Sequence, residues 1–157
     1  MNQTVNATLI AMGLAAAALM AQGCARSGGG LPADALDHAI GGAIGDPATC
    51  VLLADRASRK VLYRYGEAFN CARPLPACDR PGTLSAQSAL ALADAADARG
   101  ASCASNPERT RSVGWAEGRL AGAKRDLIYS AVMEGQRALP GQEISARLEE
   151  AFRRAGL

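Results

Sequence analysis

Apolar residues recur along this chain with different periods, and each period marks a different kind of element. Between Leu31 and Gly45, Leu36, Ile40, Ala43 and Ile44 fall at helical spacing. Pro32 suits the first turn, Asp34 and Asp37 favour its positive end, and Gly45-Asp46-Pro47 stops it. Thr49 to Asp55 is instead an unbroken apolar run, Cys50-Val51-Leu52-Leu53-Ala54, as a strand covered on both faces requires. After a turn at Arg56-Ala57-Ser58-Arg59 the pattern alternates, with Val61, Tyr63 and Tyr65 on one face and Lys60, Leu62 and Arg64 on the other. These two runs predict a hairpin whose second strand is the more exposed.

Gly66 to Gly82 reads as irregular, and a helix is predicted from Ser85 to about Arg99, with Ser85 as N-cap and Gly100 just past its end. That helix is mostly Ala, so it has only a modest face to bury. Ala101 to Thr110 reads as loop with a short edge strand around Cys103. From Arg111 to Glu117, Val113 and Trp115 face one way, while Ser112, Gly114 and Ala116 form a face of small residues that a helix backbone can approach closely. Asp126 to Glu134 is a second apolar strand, and Ile144, Leu148, Ala151, Phe152 and Ala155 form one stripe of a last helix over residues 142–155.

The two apolar runs belong at the centre of a sheet and the alternating ones outside them. The predicted strand order is therefore 60–65, 49–55, 126–134, 111–117. The expected fold class is α+β: an antiparallel four- to five-stranded sheet covered by the N- and C-terminal helices, both on one face, in a single domain spanning 31–157.

The first 23 residues contain no Asp, Glu, Lys or Arg, and the nearly continuous apolar stretch from Val5 to Ala21 runs into Ala21-Gln22-Gly23-Cys24. This segment resembles a bacterial lipoprotein signal with its lipobox. The resemblance implies a signal peptide at 1–23, acylation of Cys24, and a flexible tether over 24–30. In that family an Asp after the cysteine retains the protein in the inner membrane. Ala25 at that place implies the periplasmic face of an outer membrane, with the lipid as the membrane contact.

Charge and cysteine content sharpen the picture. The chain carries 17 basic and 15 acidic residues, a balance near neutral that does not favour a nucleic-acid partner. Four cysteines besides Cys24 (Cys50, Cys71, Cys78 and Cys103) make an even number for an oxidising compartment, and two disulfides are expected. Three connectivities are open; the two-proline loop from Cys71 to Cys78 favours Cys71–Cys78 with Cys50–Cys103. No C-x2-C pair is present, so zinc is not expected. His38, the only histidine, reads as an exposed helical residue, and Glu149-Glu150 and Asp94/Asp97 as solvated helical carboxylates. Gly41-Gly42-Ala43-Ile44-Gly45 lies inside a helix, the wrong context for a phosphate loop. Arg56, Arg59, Lys60 and Arg64 cluster on the hairpin and read as a solvated edge, the sharper alternative being a surface that meets anionic lipid headgroups, peptidoglycan or a partner's acidic patch. No catalytic, cofactor or metal residue is assigned.

The run from Cys50 through Asp55 and the Arg56–Arg59 turn to Tyr63, with Ser112-Val113-Gly114-Trp115 and the strand 126–133, resembles a shortened α/β half of the serine β-lactamases and penicillin-binding transpeptidases. That family requires Ser-x-x-Lys, in which the lysine deprotonates the serine nucleophile. The positional counterpart is Ser85-Ala86-Gln87-Ser88, and Lys-Thr-Gly does not occur. The resemblance therefore implies a catalytically empty relative. The expected function is a noncatalytic binding or structural component of the cell envelope, with an envelope protein or peptidoglycan as partner. The alternatives are a small serine hydrolase or transpeptidase-like enzyme, or an accessory modulator of an envelope enzyme.

Overall fold

Strands with no polar face need cover on both sides, and two different stretches of chain supply it. The computed structural model describes residues 29–94, 98–120 and 123–157. The signal-like segment, Cys24, tether residues 24–28 and Asp97 lie outside the described residues. In chain order the elements are α1 (Ala33–Ile44), β1 (Thr49–Asp55), β2 (Val61–Tyr65), α2 (Ala68–Ala72), β3 (Leu75–Pro76) and β4 (Thr83–Leu84). They continue with α3 (Ala86–Ala89), β5 (Arg99–Ala104), β6 (Ser112–Arg119), β7 (Leu127–Gly135) and α4 (Gly141–Arg154).

The main sheet is antiparallel in the order β2-β1-β7-β6-β5, and β3 and β4 form a separate two-stranded ribbon. The α+β class and the order of the four predicted strands are as the apolar pattern required, and the edge strand through Cys103 is the fifth. Odd-numbered Val51 and Leu53 of β1, with Tyr129, Ala131 and Met133 of β7, face Leu36, Ile40 and Ile44 of α1 and Ile144, Leu148 and Phe152 of α4. Even-numbered Cys50, Leu52 and Ala54, with Ile128 and Val132, face the opposite way, onto Cys71, Leu75, Leu84, Ala86, Ala89 and Leu90. Each large aliphatic side chain so enclosed contributes about 1.5–3 kcal/mol.

The face of small residues does what its pattern implied. A Cβ on Gly114 would stand 2.1 Å from the Leu139 carbonyl oxygen, and one on Gly141 would stand 2.1 Å from the Trp115 carbonyl oxygen. The first turn of α4 therefore rests on the sheet backbone itself.

Three expectations need correction. The Ala-rich segment after Ser85 is not a long helix: α3 ends at Ala89, residues 90–94 form turns, and Gly100 lies within β5. Helix propensity of the alanines alone did not extend α3, because the segment lacks the apolar stripe that holds a surface helix in place. In β2 the alternation is broken by a register shift: Leu53 pairs with Tyr63 but Ala54 with Val61. Leu62 and Tyr63 are consequently both buried, and Val61 turns outward.

The third correction concerns the disulfides. The bonds are Cys50–Cys71 and Cys78–Cys103, with Cα separations of 5.2 and 5.4 Å, not Cys71–Cys78 with Cys50–Cys103. The short helix α2, which the sequence hides among its irregular residues, turns Cys71 onto the start of β1. Cys78, at a positive φ of 67°, then points to the edge strand. Both bonds fasten the second covering layer to the sheet. Each closes a loop of 21 or 25 residues in sequence, which stabilises the fold by about 3 kcal/mol on the chain-entropy estimate. Mass spectrometry of the unreduced, digested protein should yield the Cys50–Cys71 and Cys78–Cys103 peptides, and a Cys71–Cys78 peptide would refute this layering.

Candidate functional site

Strand alternation carries a second consequence on β6. The face that buries Val113 and Trp115 continues to Glu117, so the pattern places a carboxylate on an inward-facing position. Glu117 is 7% exposed, and its strand partners are Arg99 on β5 and Ser130 on β7. It lines a cavity of about 340 Å³ at the β5 edge, together with Asp79, Arg80, Trp115 and Gln142. The roof is the β3–β4 ribbon, held down by the Trp115 indole N–H donating to the Pro76 carbonyl at 2.7 Å.

The electrostatics of this cavity are unbalanced at Glu117. Burial pushes its carboxyl above the usual range, and Arg80 opposes the rise only in part. The reason is geometric: Arg80 directs Nε at 2.7 Å and an Nη at 2.5 Å onto Asp79, but stands 3.6 Å from Glu117. The Asp79 carboxyl is correspondingly held below its ordinary range, chiefly by that hydrogen bond. Among the described residues the Glu117 carboxylate accepts no hydrogen bond. Chemically the cavity offers a desolvated carboxylate to a hydrogen-bond donor, beside a guanidinium already engaged elsewhere.

Glu134 on β7 is equally buried but in the opposite state. Arg111 holds it with two bonds of 2.7 Å, Ser105 donates to it at 2.7 Å, and Arg73 reaches it at 3.1 Å. These partners, Arg111 first, hold its carboxyl well below the usual carboxylate range, at about 2, against the cost of burial. The cluster ties α2, the β5–β6 turn and β7 together, and the donors that converge on the Glu134 carboxylate make it a structural clamp, although Arg73 Nε is buried there without a partner of its own.

The residues singled out from sequence are dispersed. Ser85 is the N-cap of α3: it accepts from the Ser88 N–H at 3.1 Å, and its own N–H donates to the Ser88 hydroxyl at 2.9 Å. His38 is exposed on α1, and Glu150 pairs with Arg153 along α4. Asp94 is gripped by Arg56 and Arg59, joining the segment after α3 to the β1–β2 turn. Among the described residues no group of three His, Cys, Asp or Glu side chains is placed to hold a metal, and no helix is long and apolar enough to cross a membrane. Glu117 and Glu134 were missed by the sequence reading. Glu117 could have been found from its place in the Val113–Trp115 alternation, whereas the partners of Glu134 come from remote turns.

No protein-family model, curated protein or solved structure shows significant similarity to the chain.

The clamp makes a pH-dependent prediction. The folded-state pKa of Glu134 lies below its unfolded value, so its contribution is present above about pH 5 and is lost as pH falls toward about 2. Glu134→Gln should lower stability by about 2 kcal/mol at pH 7, after discounting for solvent that reaches Arg111. Urea unfolding of both proteins should show the gap closing as pH falls through this window, and a gap that does not change with pH would remove Glu134 from the account.

Proposed function

We propose that this chain is exported, cut before Cys24 and anchored there by lipid on the periplasmic face of an outer membrane. Its domain acts as a noncatalytic binding or structural component of the cell envelope. The observation that carries the reading is the pair of disulfides in a domain that follows a signal-like segment ending in Gly23-Cys24. Disulfides persist in oxidising compartments, and the cytosol keeps such thiols reduced. Metabolic labelling with a palmitate analogue should mark the wild type and not Cys24→Ser. Equal labelling of the two would refute the anchor.

A second reading is favoured by the topology. What supports it is the hairpin, the strands returning beside it, and the first and last helices on one face, features that the resemblance to serine β-lactamases and penicillin-binding transpeptidases would share. Such a relative would be an enzyme only if Ser85 had a base, since an unperturbed hydroxyl is hardly ionised near neutral pH. Its hydroxyl is engaged with Ser88 in the cap, and no lysine bonds to it among the described residues. The noncatalytic reading therefore predicts no covalent product with a fluorescent penicillin on denaturing electrophoresis. A band that disappears in Ser85→Ala would make the enzyme reading the leading one.

A further inference from the structure

We infer that the end of the sheet carrying the β1–β2 and β6–β7 turns is the surface this domain lays on anionic lipid, an inference that rests on lipid attachment at Cys24. The described chain enters the domain at this end. Arg125, in the β6–β7 turn, donates from Nη1 to the Gly29 carbonyl at 2.6 Å. Gly29 lies so close to Leu62, near the start of β2, that a Cβ there would stand 2.8 Å from its Cδ2. Only residues 25–28 separate Gly29 from the acylated cysteine, and the steps from one to the other reach at most about 17 Å. The nine residues of β7 span about 30 Å, so with the opposite end on the lipid the tether from Gly29 would be too short to bring Cys24 to the membrane.

The chemistry of this end fits the same occupant. Arg59, Lys60, Lys124 and Arg125 are exposed on it. Asp94 and Asp126 are both engaged by Arg56, leaving Lys60 and Lys124 in no ion pair among the described residues. Two of the three exposed large apolar side chains among the described residues are Val61, next to Lys60 in sequence, and Leu92, two residues before the Asp94 that Arg56 and Arg59 hold. Arg59 donates to the Leu90 carbonyl, and a shallow groove of about 270 Å³ runs between Val61 and Leu90. Apolar side chains level with cationic heads are the pattern of an interfacial surface, in which the heads meet phosphates and the apolar groups enter the headgroup boundary.

The chain contains only two lysines, and both are at this end, so amine labelling reads the proposal directly. The full lipidated protein is placed either in nonionic detergent micelles or in phosphatidylcholine vesicles with about one third phosphatidylglycerol. Labelling of Lys60 and Lys124 should fall about fivefold or more in the vesicles, and part of that protection should be lost in about 0.5 M salt. Labelling of Arg109 and Arg137, in the turns at the opposite end, with an arginine-selective dicarbonyl should not change. Equal lysine labelling in micelles and vesicles, or protection of Arg109 and Arg137 instead, overturns the orientation while leaving the anchor intact. A wild-type chain that fails to float with vesicles, as Cys24→Ser is expected to fail, overturns the anchor and the orientation together.

Discussion

The pairing of β1 with β7 sets the terms for everything around it. Their seven matched residues, from Thr49 with Met133 to Asp55 with Leu127, bury side chains on both sheet faces. One covering layer would leave Leu52, Ile128 and Val132 against water, so the pair is compatible only with a three-layer arrangement. The two long helices make one layer. The other comes from residues 66–94, a segment rich in Pro, Gly and Ala with little helix of its own, and its attachment therefore depends on cross-links. The disulfides, the Trp115–Pro76 hydrogen bond and the Glu134 clamp all join this segment to the sheet.

Much of that frame was legible in the sequence because it is written in periodicity. The unbroken runs at 50–54 and 127–133 announced burial on both faces, and the stripe from Ile144 to Ala155 announced α4. The small-residue face on β6 foretold a close helix approach, which Gly114 and Gly141 realise. The inserted layer was not legible, because long-range contacts, and not local pattern, decide its form. Alanine run 91–98 reads as helix in isolation, and Phe69-Asn70-Cys71 reads as loop. The disulfide pairing depends on both, so a spacing argument on cysteines alone had to go wrong.

Glu117 and Glu134 show how environment, and not residue type, assigns a carboxylate its state. Both lie on central strands with almost no exposure. Glu134 is surrounded by donors contributed by the end of α2 and the β5–β6 turn and is more acidic than a free carboxylate. Glu117 faces a cavity whose nearest guanidinium is directed elsewhere, and its proton is held more tightly. The first arrangement is complete and rigid. The second is incomplete, which is why the cavity, and not the clamp, is the place where a ligand's donor would gain most from entering.

Each described cysteine is bonded to its neighbour in sequence, the first to the second and the third to the fourth. The two loops therefore neither enclose nor interlock with each other. For a chain that emerges from a translocation channel N-terminus first, Cys50 meets Cys71 before Cys78 or Cys103 is present to compete. The third and fourth then have only each other. Oxidation in order of appearance thus yields the native pairs without a reshuffling step, which for non-consecutive bridges takes seconds to hours and needs an isomerase. In an exported chain the strap over the sheet can therefore be fastened link by link, in the order in which its cysteines become available.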